Sequence, residues 1–153
     1  MGKHPGVGAG FLCCVTPSLF LREFLRAPRR TGAVVPSSRR LGAAMVAPIP
    51  SSAPTVVVEI GPGSGAFSRL IERRMGGHGR RLAVEINPVF AARLARRHPG
   101  LEVISADARH LPELLARRGV HEVDVVVSGL PFAGFASDAQ RALIASVCAV
   151  LGR

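Results

Sequence analysis

Apolar residues between positions 55 and 128 are concentrated in four short runs that are rich in valine and isoleucine. Stretches typical of helices lie between these runs, and another helical stretch closes the chain. Near-continuous apolar strands that alternate with helices indicate an α/β fold with a parallel sheet covered on both faces. The predicted strands are Thr55–Ile60, Arg81–Ile86, Leu101–Ser105 and Val123–Ser128. The predicted helices are Phe67–Arg74, Pro88–Arg97, Leu111–Arg118 and Ala136–Leu151.

The first fifty residues follow a different pattern. Residues 1–16 resemble a loose, glycine-containing leader. Thr16 and Pro17 suit an N-cap and a first helical position, and the helix predicted after them carries large apolar residues on one face. A second short helix is predicted from Ser37 or Ser38 to just before Pro48. We therefore expect a leader (1–16), a segment of amphipathic helices and linker (17–50) and one main domain (51–153).

Charge changes the picture by pointing to an anionic partner. The chain of 153 residues has a formal net charge of +10, and residues 1–50 carry seven Lys or Arg against one Glu. This imbalance favours nucleic acid or an acidic membrane surface as partner, unless the arginines simply solvate the surface. The three cysteines form no CxxC pair, so we expect reduced thiols in the cytoplasm and no metal site.

The stretch "VVVEIGPGSGAF", residues 56–67, joins the first predicted strand to a helix through a bare turn. Its glycines, Gly61, Gly63 and Gly65, allow a ligand to approach the backbone closely, and the helix start presents free N–H groups. The same spacing also fits a dinucleotide fingerprint, and a tight turn without a ligand would produce it as well.

Three further features fall at the ends of the other predicted strands. Glu85 ends the second strand, where a carboxylate can accept hydrogen bonds from both hydroxyls of a ribose. Asp107 follows the third strand, and "SGLPF", residues 128–132, ends the fourth with another bare, proline-containing turn. Because the carboxyl ends of parallel strands meet at one edge, the sequence predicts a nucleotide-type site there.

The segments "EIGPGSG", "AVEINP", "SADA" and "SGLPF" resemble the successive motifs of class I S-adenosylmethionine-dependent methyltransferases. The resemblance implies a Rossmann-like, doubly wound, mostly parallel sheet and S-adenosylmethionine as the cofactor. In this family Glu59 and the glycines would hold the methionine end, Glu85 the ribose, and Asp107 with Ala108 the adenine. The full cofactor set implied is Glu59, Gly61, Gly63, Gly65, Glu85, Ile86, Asp107, Ala108 and Ser128.

Two subfamilies are similar in these motifs but differ in the methyl acceptor. The rRNA adenine dimethylases share "EIGPGSG" and "VEINP", but their fourth motif begins with Asn and ends in Pro-Tyr. Here the motif is "SGLPF", so the amide that holds the target adenine is missing, although Phe132 can still stack on a base. The chain also contains no Tyr or Trp on which splayed bases could stack, and these absences disfavour RNA.

The bacterial phospholipid N-methyltransferases, which methylate phosphatidylethanolamine towards phosphatidylcholine, are the favoured subfamily. "FLREFLRAPRRTGAVVPSSRRLGAAM" resembles their amino-terminal segment and "VVSGLPF" their fourth motif, and the resemblance runs from about Leu19 to Leu151. It implies a cytoplasmic enzyme at the inner face of the membrane, with anionic lipid and the phospholipid substrate as partners. The implied acceptor pocket is Ser128, Gly129, Leu130 and Pro131, and Ser37 and Ser38 would close over the cofactor unless they only cap a helix.

The amino-terminal helix would lie in the lipid headgroup layer under this interpretation. Its apolar face would enter the membrane and its arginines would contact anionic lipid. These residues are Phe20, Leu21, Phe24 and Leu25, with Arg22, Arg26, Arg29 and Arg30. The alternative is that this apolar face packs against the protein's own sheet.

The end of the chain leaves a third interpretation open. After "VCAVLGR" the resembled family usually continues into two or three more strands, so we expect an incomplete sheet and acceptor half. A fragment that binds cofactor and membrane without turnover is therefore an alternative. The sequence indicates no general base, since His110 and His121 are expected at the surface.

Overall fold

The chain folds around one parallel sheet, seen in a computed structural model that describes residues 11–12, 36–130 and 134–152. The strands are β1 (Phe11–Leu12), β2 (Val56–Ile60), β3 (Arg80–Glu85), β4 (Glu102–Ser105) and β5 (Val125–Ser128). The helices are α1 (Pro36–Val46), α2 (Ala66–Met75), α3 (Pro88–Arg97), α4 (Leu111–Ala116) and α5 (Ser137–Cys148), with a 3₁₀ turn at Ala108–His110. The order of strands across the sheet is β1-β5-β2-β3-β4.

These bounds confirm the predicted Rossmann-like, doubly wound fold. Each of the four predicted strands is present within two residues at either end, and α1 begins and ends within about one residue of the predicted second helix. Helices α4 and α5 end earlier than predicted. The reason for α5 is that the chain turns so that Val123 N donates to Val150 O and Gly152 N donates to Val123 O, which places Leu151 beside the start of β5. The amino-terminal helix predicted from Thr16 lies outside the described residues.

Strand β1 differs from the loose leader that the sequence pattern predicts. Phe11 and Leu12 pair in parallel with Val125 and Val126 of β5. The physical reason is that the outer edge of β5 presents backbone N–H and C=O groups that need partners. Any nearby extended segment can supply these partners, whatever its side chains. A strand of two residues is also too short for hydrophobic periodicity to predict it.

Both faces of the sheet are covered, which explains why its strands read as nearly continuous apolar runs. On one face, β2, β3 and β5 pack against α1, α2 and α3 through Val57, Ala83, Val125, Val127, Met45, Ile71, Met75 and Leu94. On the other face, the strands pack against α4 and α5 through Val58, Ile60, Leu82, Val84, Val126, Leu111, Leu115, Leu143 and Val147. The predicted α/β layering therefore holds on both sides.

The strand order reverses beside β2. Strands β2, β3 and β4 lie side by side in chain order across the sheet. Strand β5 then pairs with the other side of β2. In doubly wound sheets the ligand crevice opens outside the carboxyl ends of the strands at such a reversal. The topology thus directs attention to the residues that follow β2, β3 and β5.

A buried serine joins α5 to the segment that follows β4. Ser146 is 6% exposed, accepts a hydrogen bond from Leu111 N at 3.1 Å and donates one to Ala108 O at 3.1 Å. It therefore satisfies two backbone groups at the junction of the 3₁₀ turn and α4. This contact fixes the chain immediately after Asp107.

We expect Ser146→Ala to lower the free energy of unfolding by about 1–3 kcal/mol, because it leaves a buried donor and a buried acceptor unpaired. Urea unfolding followed by circular dichroism measures the change. The matched control is Ser105→Ala at an exposed serine, which should change stability by no more than about 0.5 kcal/mol. Equal stability of the two variants would contradict the bridging role of Ser146.

Candidate functional site

The glycine turn connects β2 to α2 at the centre of the sheet edge. Gly61 N donates to Val84 O at 3.0 Å, and Gly65 N donates to Pro62 O at 2.9 Å. Gly63 has a φ of +52° and Gly65 a φ of +83°, a backbone conformation that glycine adopts without strain. Because Gly65 is the N-cap, α2 begins without a side-chain cap. The amide groups of its first turn are therefore not satisfied by a capping side chain, an arrangement suited to anionic or polar ligand groups.

Glu85 holds this turn against the end of β3. Its Oε2 accepts from Gly63 N at 3.0 Å and its Oε1 accepts from Asn87 N at 2.9 Å, while the residue is only 6% exposed. Asn87 in turn caps α3 by accepting from Val89 N at 2.9 Å. Each carboxylate oxygen of Glu85 keeps a lone pair for a further donor. The carboxylate is thus fixed in place and still able to bind hydroxyl groups.

Asp107 begins the segment after β4 and pairs with Arg109, two residues further along the chain. Its Oδ1 accepts from Arg109 N at 2.9 Å, and its Oδ2 accepts from Arg109 Nε at 2.9 Å and Nη2 at 2.6 Å. The Arg109 guanidinium holds the pKa of Asp107 below its ordinary value, so the acid is charged at neutral pH. The position of Asp107 agrees with the sequence prediction, whereas its pairing with Arg109 was not predicted.

A cleft of about 290 Å³ opens between the ends of β2, β3 and β4 and the start of α5. It brings together five of the predicted cofactor residues, namely Gly61, Glu85, Ile86, Asp107 and Ala108. Its opposite wall is apolar and includes Leu130, Phe135 and Leu143. The other predicted cofactor residues do not line this cleft: Gly63 and Gly65 belong to the adjoining turn, Ser128 ends β5, and Glu59 lies below the turn within β2.

Glu59 is a buried acid directly beneath the glycine turn. It is 1% exposed, its Oε2 accepts from Ser68 Oγ at 2.5 Å, and its Oε1 is buried without a hydrogen-bond partner. Burial raises the pKa of Glu59 to about 7, and the negative charge of Glu85 adds to this effect, while hydrogen bonds from Ser68 oppose it. An unpaired buried carboxylate oxygen is expensive to maintain, so it marks a position where a donor or cation fits.

The fourth motif lies against the glycine turn. Gly129 N donates to Ile60 O at 2.9 Å, and a Cβ atom at Gly129 would lie 2.7 Å from Gly61 O. A side chain at this position would collide with backbone, so only glycine allows the two turns to meet. Leu130 packs over Gly61 and joins the wall of the cleft. Pro131, the remaining member of the predicted acceptor pocket, lies outside the described residues.

The remaining predicted residues lie in other parts of the chain. The predicted membrane-helix residues at positions 20–30 lie outside the described residues, and the backbone of Ser37 and Ser38 belongs to the first turn of α1. His110 and His121 are exposed, as expected. Within the described segments, no group of three or more metal-ligating side chains is present, and no helix there is long and apolar enough to cross a membrane.

Two supporting residues escaped the sequence analysis. Ser68 is a polar residue on the otherwise apolar face of α2, and that position in the helical pattern is the signal that would have found it. His98 is 7% exposed, its Nδ1 lies 3.1 Å from Glu72 Oε2, and a Cβ atom at Gly65 would lie 3.5 Å from its Nε2. His98 therefore supports the glycine turn from behind, a through-space contact that no local pattern reports.

Comparison with known proteins agrees with this architecture. Residues 57–153 match the family model of a methyltransferase domain. An ornithine lipid N-methyltransferase from Singulisphaera acidiphila is 35% identical over 136 residues, which cover 87% of this chain and 71% of the relative. The chain therefore belongs to the methyltransferase domain family, and the prediction of a class I S-adenosylmethionine-dependent methyltransferase is confirmed.

Solved structures share the fold. The N-methyltransferase NodS from Bradyrhizobium japonicum, in complex with S-adenosyl-L-homocysteine, superposes with a TM-score of 0.62 at 17% identity over 90% of this chain and 68% of its own. The S-adenosylmethionine-bound amino pentose methyltransferase CalS10 from Micromonospora echinaspora gives a TM-score of 0.59 at 18% identity, over 98% of this chain and 55% of its own. Identities this low establish the Rossmann-like fold alone.

We expect the stability of the protein without ligand to fall as the pH rises from about 4.5 to about 7, because the folded state holds the Glu59 proton more tightly than the unfolded chain does. The shift corresponds to about 3 kcal/mol. Glu59→Gln cannot lose a proton and should remove this part of the pH dependence. Urea unfolding at several pH values measures the slope for each protein.

The matched control for this experiment is Glu113→Gln, which removes a carboxylate that is exposed on α4. The control should keep the slope of the unaltered protein between pH 4.5 and 7. If Glu59→Gln also kept that slope, the unpaired buried carboxylate would not be the source of the pH dependence.

Proposed function

We propose that the protein transfers a methyl group from S-adenosylmethionine to the primary amine of a membrane lipid, with phosphatidylethanolamine as the first acceptor. The observation that carries this proposal is the 35% identity to a lipid N-methyltransferase over 136 residues. The domain match covers only residues 57–153, so the longer similarity must include residues that precede Val57. That region contains the amphipathic, arginine-rich segment expected to contact lipid.

The residues at the sheet edge fit the cofactor. Glu85, already held by two backbone donors, would accept the two ribose hydroxyls. The unpaired Oε1 of Glu59 supports a role towards the cationic methionine end, together with Gly61, Gly63 and Gly65. Asp107 and Ala108 would read the adenine, and Ile86 would pack beside it. When bound, the cofactor supplies an electrophilic methyl group on its sulfonium.

The chain's own residues would then position a neutral amine beside that methyl group. Ser128, Gly129 and Leu130, with Pro131, form the acceptor side of the pocket in this proposal. Leu130, Phe135 and Leu143 provide an apolar wall, which excludes water and disfavours the ammonium form of the amine. An ammonium has no lone pair, so the amine gives up its proton to solvent before transfer.

A lipid acceptor implies work at a membrane surface in the cytoplasm. The proposed anchor is the amino-terminal segment, in which Phe20, Leu21, Phe24 and Leu25 enter the headgroup layer and Arg22, Arg26, Arg29 and Arg30 contact anionic lipid. The net charge of +10 supports an anionic surface as partner. The protein would associate peripherally with the inner face of the membrane.

Ornithine lipid is a second candidate acceptor, and the similarity to an ornithine lipid N-methyltransferase favours it. Ornithine lipid and phosphatidylethanolamine both present a primary amine at the membrane surface. The two acceptors therefore require the same alignment chemistry and differ in the groups around the amine.

Cofactor binding tests the assigned site. We expect Glu85→Ala to weaken S-adenosylmethionine binding roughly 100-fold, because two hydrogen bonds to a charged group are lost. Isothermal titration calorimetry measures the dissociation constant, with Glu113→Ala as the control at an exposed acid. Unaltered affinity in a folded Glu85→Ala variant would remove Glu85 from the cofactor site.

Methyl transfer tests the acceptor. We expect label from S-adenosylmethionine to enter phosphatidylethanolamine or ornithine lipid in detergent-mixed micelles, with a rate that rises with pH as the amine loses its proton. N-acetylated phosphatidylethanolamine, which has no basic amine, is the control and should remain unlabelled. Label in rRNA offered in parallel would instead establish the RNA enzyme, and label in no acceptor despite cofactor binding would favour a fragment without turnover.

A further inference from the structure

Exposed apolar side chains are concentrated beside the cofactor cleft. Among the described residues, four large apolar side chains are well exposed, and three of these lie within one stretch of five residues. Ile86 is 67% exposed, Val89 is 71% exposed and Phe90 is 45% exposed. Single apolar residues on a surface are ordinary, whereas a contiguous group indicates a surface that contacts something.

Helix α3 carries this group on its outer side. Ala91 and Leu94 face inward and are 4% and 2% exposed, where Leu94 packs with Ala83 and Leu101. The helical repeat places five exposed residues next to one another on the surface that does not face the sheet. These residues, which we call the outer side of α3, are Val89, Phe90, Arg93, Arg96 and Arg97.

The three arginines on α3 are available to an external partner. Across the described ranges, no ion pair and no side-chain hydrogen bond involves Arg93, Arg96 or Arg97. The two arginines of β3, by contrast, form ion pairs: Arg81 with Glu72, and Arg80 with Glu102. The outer side of α3 therefore combines an apolar end with three uncompensated positive charges.

We infer that the outer side of α3 forms a docking surface for an anionic phospholipid bilayer. This surface, the α3 face, consists of Val89, Phe90, Arg93, Arg96 and Arg97. The inference rests on the proposed function, which places the acceptor amine in a membrane. An interfacial helix inserts its apolar residues at the headgroup boundary while its arginines contact anionic headgroups. RNA would engage the arginines but would leave Val89 and Phe90 in water.

The α3 face lies next to the mouth of the cleft. Ile86 itself lines the cleft, and Val89 and Phe90 follow within four residues. The end of β3 is separated from the end of β5 by β2 alone, which is a distance of about 10 Å. A bilayer against the α3 face would therefore lie close to the Ser128–Leu130 turn, where the lipid amine is proposed to react.

Vesicle flotation tests the docking surface. We expect the protein to float with vesicles of phosphatidylglycerol and phosphatidylcholine and less with phosphatidylcholine alone. Val89→Asp with Phe90→Asp should lower the partition coefficient at least tenfold. Arg93→Gln and Arg97→Gln should each lower it about fivefold on anionic vesicles, the effect of one basic residue at such a surface.

Each control makes the same kind of substitution at an exposed position outside the α3 face. Ile144→Asp changes a residue on α5 that is 44% exposed, nearly the value for Phe90. Arg73→Gln removes an exposed charge from α2. Both controls should float like the unaltered protein. If the α3 variants also floated like the unaltered protein, or if the unaltered protein bound no vesicle, the docking surface would be refuted.

A fluorescence measurement reports insertion directly, because the chain contains no Trp or Tyr. Phe90→Trp provides a single reporter whose emission should shift to shorter wavelength and be quenched by brominated lipid when anionic vesicles are added. Ile144→Trp should show neither change. Equal behaviour of the two reporters would contradict insertion of the α3 face.

Turnover in detergent-mixed micelles separates this inference from the proposed function. There the α3 variants should methylate lipid amine at the unaltered rate, since no bilayer has to be engaged. Lipid methylation with unaltered vesicle binding of the α3 variants would refute the docking surface and keep the function. Vesicle binding that depends on the α3 face without any lipid methylation would keep the surface and refute the function.

Discussion

The carboxylate of Glu85 is the contact on which the arrangement of the sheet edge depends. It accepts hydrogen bonds from Gly63 N and Asn87 N, so one side chain fixes both the glycine turn and the start of α3. The backbone of the same residue accepts from Ala106 N at 3.1 Å, which places the segment that contains Asp107. The glycine turn, the segment that contains Asp107 and the start of α3 therefore share one anchor. Loss of its geometry would disturb all three together.

Glu59 combines a cost in stability with a position suited to ligand binding. A carboxylate with one unpaired oxygen in a buried position destabilises the folded protein while it is charged. Ser68 compensates only one of the two oxygens. A ligand with a positive charge at this position would supply the missing partner.

The sequence predicted most of the fold because strand and helix patterns are local. Val56–Ile60 could be predicted from an apolar run, and Pro88–Arg97 from a stretch typical of a helix between two such runs. Glu85 and Asp107 could be placed because the ends of parallel strands converge at one edge. Arg109 and the pairing of Phe11–Leu12 with β5 could not, since arginines are abundant and both contacts depend on the folded arrangement. The predicted amino-terminal helix lies outside the described residues and stays a prediction.

A lipid acceptor places demands on the sheet edge that a small soluble acceptor would not. The reacting amine is tied to a bilayer, so the cleft mouth must approach the headgroups before any residue can align the amine. The net charge of +10 attracts the protein to an anionic surface only within about a Debye length, and it cannot set depth or orientation. Apolar residues at fixed positions on the protein surface can set both its depth and its orientation in the membrane. Val89 and Phe90 lie on the helix that Asn87 caps and Glu85 orients, so the contact proposed to hold the membrane is rigidly connected to the contact proposed to hold the ribose.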